Sequence, residues 1–414
     1  MSHPVVEKSP NPWRQLARNT QFRWLFSGNF SMFVGFWATI LLRSLLAWQL
    51  TEDEMSLAWI NLVSAGCMFV TSIFSGAVID RFERRRLMMI AQCLILVAET
   101  SIMVLLISGH LTFEIVMLSA FASSVAFPFI MPSSTAMLVE SVGRSSVAKA
   151  TALMSGGANV ARMVSPAVVG IVADVAGMGF SYAFLISLHL FSLFCTWNLN
   201  SSMPSGSGQG AFLGEIREGF VYLYRHKSVA LCITFGLIPT LLVVPLQNLL
   251  VVFVDQVWDH SGSGLGIMMG AMGVGGLLGS LLMAFLKDGS LVKPMVVSSL
   301  TLGVLLLLFG HTPWFWMGTL FMVAIYACAV LNQTLVQTGV QLMTEDRMRG
   351  RITTMTLMSY GLAPLGTIPL AFGSKHIGAP WAMTIAAVLM IVAVLAMATM
   401  SQGFRKIDEA ARVT

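Results

Sequence analysis

Apolar residues in this chain gather into long, nearly uninterrupted runs divided by short polar breaks. Soluble strands and helices show instead alternation or a single apolar face. The runs cover residues 26–48, 56–79, 87–108, 112–139, 147–173, 180–199, 228–254, 264–286, 291–310, 313–342, 351–373 and 381–400. A helix needs about 20 residues to cross the hydrocarbon layer, and each of the runs is close to that length or exceeds it. The fourth and tenth are long and carry polar residues, so their ends are soft. The first is too long for a signal peptide, follows a polar stretch and has no small-residue cleavage site. The pattern predicts an all-α membrane protein with twelve transmembrane helices.

Composition agrees. Of the 414 residues, 56% are hydrophobic and 10% charged. Soluble domains are about 45–50% apolar and about 25% charged, so a soluble fold would lack the polar surface to cover this chain. The formal net charge is +5. In a soluble protein that suggests nucleic acid; here it orients loops. With loops placed alternately on two sides, one side collects 21 of the 24 Lys and Arg residues. Arg81, Arg84, Arg85 and Arg86 follow the second run, and Arg347, Arg349 and Arg351 precede or open the eleventh. Lys375 alone falls on the other side, while Arg43 and Arg162 lie inside runs. Basic loops stay in the cytoplasm, so both termini are expected there.

The longest break, 200–227, opens with Ser201, Ser202, Pro204, Ser205 and Gly206, a flexible linker composition. Phe212, Ile216, Phe220, Leu223 and Tyr224 then recur at helical spacing and suggest an amphipathic helix on the membrane face. The expected organisation is a cytoplasmic segment 1–25, a six-helix bundle 26–199, the linker 200–227, a second bundle 228–400 and a tail 401–414. Shifting the second half back by 204 positions lays Leu357-Met358-Ser359 on Leu153-Met154-Ser155. Two pseudo-symmetric six-helix bundles imply a transporter with its site between the repeats.

Gly76-Ala77-Val78-Ile79-Asp80-Arg81-Phe82-Glu83-Arg84-Arg85-Arg86 joins the second and third runs. It resembles the signature loop of the major facilitator superfamily, at the position where that family carries it. Glu83 replaces the usual second glycine, as in the branch of enterobactin (siderophore) and macrolide exporters. The resemblance implies the major facilitator fold and a conformational latch of Gly76, Asp80, Arg81, Arg84 and Glu140. In it the aspartate faces the start of the eleventh helix, near Arg351. Asn159 to Gly170, with Arg162, Pro166 and Gly170, looks like the family's antiporter motif, although Ser165 stands where glycine is usual. This biases the reading toward export. Gly156, Gly157 and Gly170 permit close helix packing, and Pro166 bends the helix.

Ionisable residues inside spans are expensive and are functional candidates by default. Arg43 and Arg162 are candidates for the substrate or proton path, since a guanidinium pairs with carboxylate or catecholate-like oxygens. Glu99 reads as a structural pair and His189 as a packing histidine. Asn159, Gln247, Asn248, Asn332, Gln333 and Gln337 supply polar groups for the same path, with at most one of Asn332 and Gln333 facing the cavity centre. The five cysteines lie in apolar runs without metal or disulfide spacing. No phosphate-binding Gly-Lys-Ser/Thr loop, metal cluster or nucleophile motif is present, which argues against an enzyme and against ATP as the energy source.

The expectation is a monomeric secondary transporter in the bacterial inner membrane, with membrane lipid around it and no nucleic acid partner. It exports a small amphipathic molecule, a siderophore or related metabolite, by alternating access. It uses no cofactor, and the proton gradient drives it by antiport. Macrolide or multidrug efflux is the near alternative; a proton-coupled uptake symporter or a lipid transporter are the others.

Overall fold

A computed structural model describes residues 16, 18–79, 81–142, 146–201, 218, 221–285, 291–345, 348, 352 and 363–400. Its helices are α1 (Thr20–Thr51), α2 (Glu54–Ile79), α3 (Arg84–Ile107), α4 (Phe113–Val142), α5 (Val147–Ala176) and α6 (Met178–Trp197). The second half holds α7 (Lys227–Val252), α8 (Gly262–Phe285), α9 (Val292–Gly310), α10 (Phe315–Met343), α11 (Thr367–Ile377) and α12 (Ala379–Met400). Among the described residues, eleven helices are long and apolar enough to cross a membrane. The shorter α11, preceded by a 3-10 turn at Ala363–Gly366, is the described part of the eleventh run. The rest of that run, and most of the expected linker helix, lie outside the described residues. The described residues thus form helices and short turns, with helix lengths and composition suited to a multi-pass membrane protein.

Successive helices alternate in direction. Asn19 bonded to Ser141, Arg84 paired with Glu140 and Arg85 bonded to the Trp197 carbonyl gather the start of α1, the start of α3 and the ends of α4 and α6 at one end, here called the basic end. The turns at the opposite end are tight and repeat between halves. Gly177 (φ 86°) alone joins α5 to α6, and Gly378 (φ 83°) alone joins α11 to α12. A glycine suits both places because L side chains rarely adopt that backbone conformation. The α1–α2 turn passes through Glu52 (φ 48°), and the corresponding α7–α8 turn through Asp259 (φ 51°). These two repeated turns are the structural counterpart of the weak sequence repeat, whereas the α3–α4 turn passes through Gly109 (φ 72°) and the α9–α10 turn through no positive-φ residue.

The halves meet chiefly where α5 runs along α8 and α2 along α11. Small residues make the first contact possible. A Cβ at Gly170 would lie 2.4 Å from the Gly262 carbonyl, and one at Gly266 would lie 2.4 Å from the Pro166 carbonyl. A Cβ at Gly273 would lie 2.6 Å from the Met163 Cα. Lipid offers apolar groups no reason to associate, so helices hold together where backbones approach closely. Gly156 has no neighbouring atom within 4 Å, so this glycine makes no packing contact in this conformation, contrary to expectation. Gly157 does pack, against Phe26 and Phe30 of its own half.

Polar groups fasten the closed end. Asp174 at the end of α5 accepts from Ser261 Oγ at 2.5 Å and from the Ser263 backbone N–H at 2.7 Å, capping the start of α8. Lys375 Nζ lies 2.9 Å from Asp53, joining α11 to the α1–α2 turn. After α7, the backbone loosens into a π-helical segment, Phe253–Val257, which carries Asp255. Its carboxylate accepts from Trp48 Nε1 of α1 at 3.0 Å.

Candidate transport site

A cavity of about 350 Å³ lies within the amino-terminal bundle and reaches α7 of the other half. Met32, Phe36, Thr39, Ile40 and Arg43 recur along α1 at helical spacing and form one wall. Asn61, Ser64 and Met68 of α2, Ser123, Ser124 and Phe127 of α4, and Gln247 and Asn248 of α7 complete much of the rest. Apolar and aromatic groups with a few placed polar ones are the usual lining of a small-molecule site.

Arg43 lines it, and Arg162 lies beside it, over the cavity-lining Trp37. Arg43 Nη2 donates to Glu99 Oε1 at 2.5 Å, to Ser123 Oγ at 2.7 Å and to the Ser119 carbonyl at 3.1 Å. The pair joins α1 to α3, with Arg43 and Glu99 side chains 9% and 0% exposed. Ions so far from water persist only when paired and hydrogen-bonded. Arg43 thus pairs inside its own bundle rather than snorkelling, and Glu99 is its counter-ion.

Among the described residues, Arg162 of α5 has no such carboxylate partner. Its guanidinium carbon lies 4.9 Å from the Trp37 ring centroid and 5.6 Å from that of Tyr326. Trp37 belongs to α1 and Tyr326 to α10, so one cation bridges aromatic faces from the two halves. A cation over an aromatic face is attracted by the ring quadrupole, by roughly 2 kcal/mol when desolvated. Its Nε has no partner. The Tyr326 hydroxyl donates to Gln247 Oε1 at 3.4 Å, and Asn248 Nδ2 donates to Thr367 Oγ1 at 3.3 Å, linking α7 to α10 and α11.

The other expected site residues scatter. Asn332 is buried and donates to the Met295 carbonyl, Ser298 and Ser299. It ties α10 to α9 and does not serve the cavity; three acceptors on one neighbouring helix hold its amide away. Gln333 and Asn159 are exposed, and Gln337 is half-buried. His189 of α6 lines the cavity, against Gly35, with Nε2 unpartnered. That makes it part of the site rather than a satisfied packing residue. In the signature loop, Arg84 and Glu140 form an ion pair, and Glu83 pairs with Arg86 at 2.6 Å. Gly76 lies in α2 and Arg81 is exposed. Asp80 and the start of the eleventh helix lie outside the described residues. Trp37, Tyr326, Asp174 and Asp255 were not singled out from the sequence. For Asp174 and Asp255, isolated carboxylates at span ends were a visible signal.

The chain matches the model of a family described as transmembrane secretion effector over residues 11–413. It belongs to that family. It is 22% identical over 304 residues to the enterobactin exporter EntS of Escherichia coli O1:K1, covering 70% of each chain. The enterobactin exporter of Shigella boydii serotype 18 matches to the same extent. Among solved structures, the nucleoside transporter NupG aligns with a TM-score of 0.73 and 15% identity, covering 92% of this chain and 100% of that one. A bacterial homologue of the human lysosomal transporter Spinster, inward-facing and unoccupied, aligns at 0.68 and 13% identity, covering 95% and 98%. This secretion effector is therefore a major facilitator superfamily transporter, with distant similarity to a siderophore exporter.

Proposed function

We propose that this transporter exports a small amphipathic organic molecule, a siderophore or related aromatic metabolite, across the bacterial cytoplasmic membrane by proton antiport. The observation that carries the reading is the Arg162 cation lying between Trp37 and Tyr326, where the two halves meet beside the cavity. Flat aromatic groups bearing negative oxygen match both the rings and the guanidinium. Because the contact is shared by both halves, a molecule that replaces one ring at the guanidinium alters how the halves hold together. That is the differential interaction alternating access requires. Similarity to enterobactin exporters supports the direction and the substrate class. With the Arg-rich loops in the cytoplasm, the end fastened by Asp174, Lys375 and Asp255 faces outward.

A second reading is efflux of macrolides or other apolar drugs. The ring and thioether lining of Met32, Phe36, Met68 and Phe127 favours it, since such walls adapt to varied ligands. The test expresses the protein in cells lacking their own siderophore exporters and measures secreted catecholate siderophore. An Arg162→Ala variant at matched protein level is the control. Secretion restored by the wild type and lost in the variant is expected. Restored macrolide resistance without siderophore secretion would select the second reading.

A further inference from the structure

We infer that Glu99, held by Arg43 inside the amino-terminal bundle, is the group that takes up and releases the coupling proton. This rests on the proposal that a proton gradient drives the transporter, and it assigns that proton a place.

Glu99 is fully buried in the middle of α3, where a carboxylate without a function is costly. Its surroundings are incompletely bonded. Glu99 Oε1 takes the Arg43 contact, while Oε2 has no partner. Arg43 Nε, Thr39 Oγ1, the Tyr182 hydroxyl and His189 Nε2 are likewise unpartnered and buried. Eleven such atoms occur among the described residues, and these five belong to one neighbourhood formed by α1, α3 and α6. Buried polar atoms are nearly always satisfied, so a cluster of orphans marks a place for water or for a group that changes state. Arg43, Glu99, Thr39 and His189 also line the cavity, which gives a proton a route to Glu99.

The groups facing Glu99 can be named from each neighbouring element. Arg43 comes from α1. Tyr182 of α6 interacts electrostatically with both members of the pair, and His189 with Arg43. From α4 come only Ser119 and Ser123, neither of which titrates in this range. No second carboxylate is among these neighbours to share the proton.

The step is simple to balance. A proton adds to the Glu99 carboxylate, giving the neutral acid and no other product. Arg43 then loses its counter-ion and becomes an uncompensated cation on the cavity wall, so the wall changes by one unit of charge. Release of the proton restores the ion pair. The conformation described here holds the pair intact and corresponds to the proton-released form.

Infrared difference spectroscopy of the full-length protein in liposomes reads the proton directly. Acidification should bring up the carbonyl stretch of a buried, protonated carboxyl. Glu99→Gln alone leaves Arg43 without a counter-ion and can fail to fold, so Arg43→Gln/Glu99→Gln, which removes both charges, is the companion variant. Loss of the band in the folded double variant is the expected result. Persistence of the band in that variant, or no band in the wild type, would overturn the assignment. The measurement needs no transported molecule. A Glu99 band with no siderophore or macrolide secretion would therefore overturn the export proposal alone, and secretion without the band would overturn this one alone.

Discussion

A guanidinium and a carboxylate 2.5 Å apart, with side chains 9% and 0% exposed, cannot be treated as independent residues. Removing one leaves the other as an unpaired buried charge, which costs about 3–5 kcal/mol, whereas removing both can be nearly neutral. Glu99→Gln should therefore lower the thermal unfolding temperature in detergent well below that of the double variant Arg43→Gln/Glu99→Gln. Equal losses in both would mean that the pair is not the coupled unit described. The sequence singled out Arg43, Glu99, Arg162 and His189 because charged or titratable groups stand out in apolar runs. It did not reveal which of them meet. Arg43 and Glu99 are 56 positions apart, and only helix packing joins them. Trp37 and Tyr326 were hidden for a different reason. Aromatic residues are frequent in this chain, so nothing local distinguishes the two that hold a cation from those that face lipid. Asn332 misled because a polar residue in a span can satisfy itself on the next helix as well as line a path.

At the scale of elements, glycine spacing on α8 decides where the halves touch. Gly262, Gly266 and Gly270 recur every fourth residue and form a small-residue packing face that was not singled out from the sequence. What it packs against was not legible, since spacing names a face and not its partner. Gly266→Val should place a side chain into the Pro166 carbonyl and prevent α5 from closing on α8. Spin labels at the outer ends of the two helices should then report longer distances. Gly156→Ala, in open space, should leave those distances unchanged. A similar response to both substitutions would refute the contact. The twelve apolar runs predicted the helices well because span length is imposed by the bilayer, not by tertiary packing. The signature loop belongs to this scale too. Arg84 and Glu140 join the start of α3 to the end of α4, which stiffens one half where it must move as a body. Asp80→Asn should reduce transport at normal membrane insertion, and normal transport at matched expression would remove Asp80 from the latch.

For the whole molecule, the described arrangement is a cavity beside an end fastened across the two halves. Three carboxylates, Asp53, Asp174 and Asp255, hold partners across the closed end. Asp174→Ala removes the cap from α8 and should raise the share of molecules open at that end. Accessibility of a cysteine introduced nearby to a membrane-impermeant reagent should increase several-fold. An unchanged labelling rate would show that the glycine contacts alone keep the end closed. The repeated turns at Gly177 and Gly378, and at Glu52 and Asp259, indicate that these parts of the two halves are built alike. On the proposed mechanism of alternating access the transported molecule is bound by both halves, and Arg162, between Trp37 and Tyr326, is where groups of both halves come together. Export is tested most directly in everted membrane vesicles, whose lumen corresponds to the outside of the cell. When respiration acidifies that lumen, labelled catecholate siderophore should accumulate inside. A protonophore and the Arg162→Ala substitution should each abolish the accumulation. Accumulation in right-side-out vesicles instead, driven by an inward proton gradient, would contradict export and identify an uptake symporter.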